Sequence, residues 1–328
     1  MFSGLRAGCS WTRSAIPSRF LLSTGVEMNF CRVFVVGLLF ALLGASPALA
    51  ASFVDNSGNT IVVAKPFTRI ISLYSAHTEN LAELGADDQL LGISTSDDYP
   101  ERVLSKQSFS YREDPEKFIA ARPDLVLVRP MIVRSYPQLL DKLQQAGIVI
   151  VSLQPTTVAE IFDYWRALGI LTGRTAQAEA MITTFQQELA AITSLVATIA
   201  PEQRCRVYFE SIHKKMKTFA PESIAIFVLE QAGGVNVAAD AERVRKTNIA
   251  AYGKERILAK AEEIDLFLAQ QGRMNPVSVE IIKNEPGFAA IKAVRENRIV
   301  LVEEPLVSRP TLRMLEGVRF LAGTIYPQ

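Results

Sequence analysis

Near the middle of this chain lies one long stretch of helical periodicity, flanked on both sides by runs that alternate strand and helix, and few folds accommodate that order. Over residues 175–199, Ala178, Met181, Ile182, Phe185, Leu189, Ile192, Leu195, Val196 and Ile199 recur at three-to-four-residue spacing, after a break at Thr172-Gly173 and before Pro201. A helix of roughly 25 residues at 1.5 Å per residue reaches on the order of 37 Å, enough to cross from one lobe to another. Upstream, short apolar runs at 69–73, 90–93, 125–128 and 148–151 predict strands buried on both faces, with helices at 78–84, 115–121 and 135–146 between them. A hairpin around Asn56-Ser57-Gly58-Asn59 opens this part. Downstream the alternation restarts, with strands at 207–209, 264–268 and 299–302 and helices at 224–232, from near Pro276, and at 310–321. Alternating elements dictate an α/β class. The expected organisation is an N-terminal extension and signal peptide over 1–50, an α/β lobe over 51–155, a helical linker over 156–200 and a second α/β lobe over 201–328.

The first fifty residues differ from the rest. They hold Arg6, Arg13, Arg19 and Arg32 against a single acid, Glu27, and Arg32 precedes the apolar run 33–43, then Gly44, Pro47 and Ala48-Leu49-Ala50. This is the basic, apolar and small-residue order of a secretory signal peptide, and the run falls short of the roughly 20 apolar residues that cross a bilayer. Cleavage after Ala50 and export to the periplasm are expected. Met1 and Met28 both remain open as the start, since a signal peptide of ordinary length begins at Met28. Cleavage would remove Cys9 and Cys31 and leave Cys205 alone, without a disulfide partner, in a strand-like run.

Lys plus Arg number 35 against 34 Asp plus Glu, so no overall field favours nucleic acid or an anionic membrane. The chain has no Gly-x-Ser-x-Gly, phosphate loop, dinucleotide fingerprint or HExxH, and only two histidines. An enzyme is not expected, nor a resident cofactor, and two imidazoles argue against direct capture of bare zinc or manganese.

In open α/β sheets ligands bind outside the carboxyl ends of strands. The polar and aromatic residues that follow the predicted strands are Tyr74 and His77, Tyr99, Tyr111 with Arg112, and Arg129 in the first lobe. In the second they are His213, Lys215 and Lys217, Arg273, and Arg309. Cations there offer charge-assisted hydrogen bonds to oxyanions, and tyrosines offer walls. Each has a plainer alternative: a packed rim residue, a helix-start hydrogen bond, or a solvated loop.

Several motifs stand together in a specific order: RIISLYSAHTENLAELGADDQLLGIST at 69–95, SDDYP at 96–100, EKFIAARPDLVLV at 116–128, LEQAGGVN at 229–236 and NRIVLVEEPLVSRPTLRMLEGVRFLAGTIYP at 297–327. Together they resemble the helical-backbone, or class III, periplasmic substrate-binding proteins of ABC importers, over essentially the whole chain from Phe53. The resemblance implies two Rossmann-like lobes joined by one long helix, with the ligand in the cleft between them. It implies capture of a metal chelate, a ferric siderophore first, with a cobalamin or other corrinoid, or haem, as the alternative. It also implies delivery to a permease and its ATPase, by a monomer. A periplasmic interaction domain without transport is the alternative of another class. The family docks one acid from each lobe onto the permease, and the matching positions are Glu79, in the Thr-Glu of the first helix, and Glu230, with Glu222 close by.

Overall fold

The computed structural model describes residues 51–327, apart from 245, 246 and the side chain of 195. The expected leader, with Cys9, Cys31, Met28 and the cleavage point, lies outside the described residues. Residues Ala50–Gln328 form one compact unit.

The chain opens with the antiparallel hairpin β1 (Ala51–Val54) and β2 (Thr60–Val63). The first lobe follows: β3 (Ile70–Ser72), α1 (Ser75–Glu83), β4 (Leu90–Ser94), β5 (Gln107–Phe109), α2 (Pro115–Ala121), β6 (Leu125–Val128), α3 (Pro130–Ser135), α4 (Pro137–Gln145) and β7 (Val149–Ser152). Its five strands are all parallel, in the order β5-β4-β3-β6-β7. The apolar run of β6 is fully buried because helices cover both sheet faces. The helix expected over 135–146 is α4, and a further helix, α3, precedes it. Pro137 has no N–H to continue a helix and instead starts a new one at its first turn.

Two helices then lead across. The first, α5 (Ala159–Thr172), packs on α1; the second, α6 (Thr175–Val196), packs against α5 near its start. The turn between them needs Gly173, at φ +72°, where an added Cβ would strike Pro66. Helix α6 has 22 residues, about 33 Å long. It buries Ala178, Met181, Ile182, Phe185, Ile192 and Val196, the stripe read from the sequence.

The second lobe comprises β8 (Arg206–Ile212), β9 (Lys217–Phe219), α7 (Ile224–Gln231), β10 (Val235–Asn236), β11 (Glu242–Arg243), β12 (Ile249–Ala251), α8 (Lys254–Ala259), β13 (Leu266–Gln271), α9 (Val279–Lys283), α10 (Lys292–Arg295), β14 (Ile299–Glu303), α11 (Glu304–Ser308) and α12 (Met314–Ile325). Its sheet runs β11-β12-β9-β8-β13-β14, with β10 also on β8. The contacts β8–β13 and β13–β14 are parallel, whereas β9 and β12 are antiparallel. Helices α7 and α12 receive the far end of α6. The molecule is thus two α/β lobes joined by the long helix α6. The last helix begins at Met314, four residues later than expected, because the Pro310 carbonyl is bonded to Asn80 and Trp165.

Candidate functional site

The first sheet turns its winding direction between β3 and β6, so a crevice opens at their carboxyl ends. Tyr74 follows β3 and Arg129 follows β6. The Arg129 guanidinium lies 5.1 Å from the Tyr74 ring centroid, a cation–π contact. Burial pushes the Tyr74 phenol up to about 12, against the pull of Arg129. The Arg129 Nε is buried without a hydrogen-bond partner among the described residues. Beyond this pair, the rings of Tyr111 and Tyr136 meet at 4.8 Å, with Arg112 over Tyr111 at 5.7 Å.

His77, expected to face the ligand, lies wholly inside the lobe. Its Nδ1 is 2.7 Å from the Tyr164 hydroxyl, which donates to it, and its Nε2 donates to the Val128 carbonyl at 3.1 Å. Burial pulls its pKa down to about 4, so the ring is neutral. His77 braces the floor under Tyr74, against which it packs edge-on at 5.1 Å.

In the second lobe, the expected loop of lysines is the tight turn of an antiparallel hairpin. His213–Lys215 form one short turn after β8, and Lys217 already belongs to β9. Lys215 is exposed, Lys217 half-buried and Arg273 exposed on the turn after β13. His213 is buried, and its Nδ1 donates to Glu210 at 3.0 Å. That hydrogen bond to Glu210 raises the imidazole pKa, although burial opposes it. The His213 backbone N–H donates to Asn275 Oδ1 at 2.9 Å, and Asn275 Nδ2 donates to the Gln270 carbonyl at 2.8 Å. Ser308 completes this tie by donating to Gln270 Oε1 at 2.7 Å. His213 therefore binds the ends of β8 and β13 together rather than reaching into the cleft.

The lobes meet at Arg309 and Pro310. The Arg309 Nη1 lies 2.6 Å from Glu79 and 2.7 Å from Asp98 in the first lobe, while its Nε lies 3.2 Å from Glu304 in its own. Pro310 offers its carbonyl to Asn80 Nδ2 at 2.9 Å and to Trp165 Nε1 at 3.1 Å, buried donors of α1 in the first lobe and of α5, which packs on α1. Two expectations change here. Arg309 is not a free cation of the cleft, since three carboxylates surround it. Glu79 is not an open docking acid: its side chain is 3% exposed, and burial raises its pKa despite Arg309. Glu230 does lie exposed, on α7. Tyr99 stands beside this clasp, its ring 4.7 Å from the Arg313 guanidinium. Both side chains line a cavity of about 190 Å³ together with Glu79, Asn80 and Glu188, on the α6 side.

Sequence reasoning missed Tyr136 and Glu304. Glu304 follows β14 directly, and the rule that pointed to Tyr74 and Arg129 applies equally after Val302. Among the described residues, no group of three or more His, Cys, Asp or Glu is arranged to hold a metal ion.

A family profile described as a periplasmic binding protein matches residues 70–306, from β3 through β14. This chain belongs to that family. The vitamin B12-binding protein of Vibrio cholerae is 27% identical over 261 residues, covering 78% of this chain and 89% of its own. An uncharacterized ABC transporter substrate-binding lipoprotein of Bacillus subtilis is 25% identical over 276 residues, covering 83% and 84%. A possible iron-binding, periplasmic solute-binding protein of Staphylococcus epidermidis superposes with a TM-score of 0.69 at 29% identity, over 80% of this chain and 100% of that one. As a class III periplasmic binding protein, the chain is the periplasmic substrate-binding component of an ABC importer. It works with a permease and its ATPase and carries out no catalysis.

Proposed function

We propose that the ligand is a metal chelate, and that the chelate is a corrinoid. The observation that carries this reading is the state of Arg309: one of the several cations expected around an anionic siderophore is already enclosed by Glu79, Asp98 and Glu304. Arg129 has no carboxylate partner among the described residues and lies over the Tyr74 ring. Two arginines stacked on tyrosine rings, Arg129 on Tyr74 and Arg112 on Tyr111, suit a ligand with a single phosphodiester and many neutral amides better than one with several carboxylates or catecholates. The vitamin B12-binding relative of Vibrio cholerae and the cobalamin-binding relative of Halobacterium salinarum, 22% identical over 277 residues, support the same choice. The siderophore thus becomes the second candidate.

Export proceeds with cleavage after Ala50, and the mature chain starts at Ala51. Docking onto the permease uses Glu230, while Glu79 belongs to the clasp between the lobes. Titration of the mature protein with cyanocobalamin, haemin and ferric siderophores, read by the fluorescence of Trp165, tests the ligand. Saturable cyanocobalamin binding is expected. Tight binding of an anionic chelate with no response to cyanocobalamin would return the siderophore to first place.

A further inference from the structure

Glu304 occupies a position that the family relationship does not assign. Helix α11 begins at the residue after β14, which sets the Glu304 side chain at the carboxyl end of that strand. On its other side runs the turn after β13, where Gly272 approaches so closely that an added Cβ would lie 2.9 Å from Glu304 Cβ. A residue larger than glycine at 272 would displace it. The carboxylate bonds the Arg309 Nε at 3.2 Å, and that same guanidinium reaches Glu79 and Asp98 in the first lobe. The side chain of Glu304 keeps 30% of its surface exposed, whereas that of Glu79 keeps 3%. It is also within electrostatic reach of Tyr74 on the opposite lobe, whose phenol it raises. A partly exposed carboxylate therefore stands where the carboxyl ends of both sheets converge.

We propose that Glu304 is a charge filter of the cleft, disfavouring chelates that present carboxylates and admitting neutral, amide-bearing ones. The physical reason is simple. Arg309, with Arg313 3.9 Å from Glu79, sets two positive charges against the three carboxylates of Glu79, Asp98 and Glu304, so one negative charge is left that the arginines do not cancel. A ligand carboxylate brought into this partly desolvated cleft meets repulsion at low effective dielectric, whereas an amide N–H meets an acceptor. The filter deepens the corrinoid reading and rests on it only for which neutral chelate is admitted.

Cyanocobalamin and haemin, the second bearing two propionates, are titrated into the mature wild-type protein and into Glu304→Gln, Glu304→Asp and Asp98→Asn. Thermal melts check that each variant is folded. In Glu304→Gln, haemin is expected to bind about tenfold more tightly at low ionic strength, with the gain shrinking as salt rises, while cyanocobalamin changes less than about twofold. Glu304→Asp retains the wild-type preference. Asp98→Asn, which frees the same guanidinium from its other side, leaves haemin within about twofold of wild type. Unchanged haemin affinity in Glu304→Gln overturns the proposal. So do an equal shift of both ligands, which would signal a loosened cleft, and an equal gain in Asp98→Asn, which would assign the effect to Arg309. Failure of the wild type to bind cyanocobalamin overturns the corrinoid reading instead, and the haemin comparison still decides the filter.

Discussion

Each lobe keeps one histidine beneath the cleft, and the two are held in opposite ways. In the first lobe, His77 sits between the Tyr164 hydroxyl and the Val128 carbonyl, with no charged group bonded to it, and burial keeps it neutral. In the second, His213 donates to the fully buried Glu210, with Glu285 3.5 Å from its Nε2, and these carboxylates favour the cation. Lys254 pairs with Glu285 from α8, and Phe288 packs edge-on at 6.1 Å. The same side chain thus stabilises one lobe as a neutral relay and the other as half of an ion pair. The first arrangement is indifferent to salt and sensitive to acid. The second depends on charge and weakens with alkali.

The largest effect that would break this contrast is loss of the buried counter-charge. Glu210→Gln should cost about 1–3 kcal/mol in urea unfolding at pH 6, because His213 loses its bonded carboxylate and keeps only Glu285 as counter-charge. The cost should fall toward pH 9, where the imidazole is neutral. A cost that does not change with pH would mean that His213 is neutral throughout.

Acid titration sharpens the other side. The His77 pKa is lowered from 6.5 to about 4, so between these values the unfolded chain holds a proton that the folded chain does not. Stability from this group is full above pH 6.5 and is lost as pH falls toward 4, by up to about 3 kcal/mol. His213, raised above 6.5, has the opposite sign: its contribution is full below pH 6.5 and is lost as pH rises through its folded value. Denaturant melts of His77→Gln should therefore show a shallower acid limb than wild type. Parallel limbs would refute the neutral assignment.

Tyr164→Phe removes the hydroxyl shared by His77 and Asn80, leaving buried polar atoms unpaired, at about 1–3 kcal/mol. This loss should be the same at low and high salt. A salt-dependent loss would place a charge in the first-lobe relay.

Asp98→Asn is expected to give the smallest effect, about 0.2–1 kcal/mol, vanishing at high salt, because the Asp98 side chain is 56% exposed. A cost several times larger would make the clasp the main bond between the lobes, ahead of the apolar packing along α6.

Much of this architecture is legible in the residues themselves. Leu125–Val128 reads as a buried parallel strand because four apolar residues in a row leave no solvent face, and the stripe of α6 is plain at helical spacing. The strand Gln107–Phe109 is not legible: two of its three residues are polar, and it exists because β4 offers a parallel edge. Tyr74 and Arg129 could be found because strand ends mark the crevice. The true setting of Arg309 could not, since its bond to Glu79 joins residues 230 positions apart. A side chain that looks available in sequence is satisfied by one that only the fold brings near. The same holds for His77, whose partners Tyr164 and Val128 lie 87 and 51 positions away.

The joint at Pro310 carries a further consequence. Its acceptor is a main-chain carbonyl, which every amino acid supplies, so the identity of residue 310 does not encode the bond. The information resides on the other side, in Asn80 and Trp165, whose side chains must be donors of the right length. Relatives could therefore vary freely at 310 and still keep the hinge in the same setting, whereas an exchange at 80 or 165 would retune it. The part of the molecule that fixes how its halves face each other would be silent in one half of any alignment and audible only in the other.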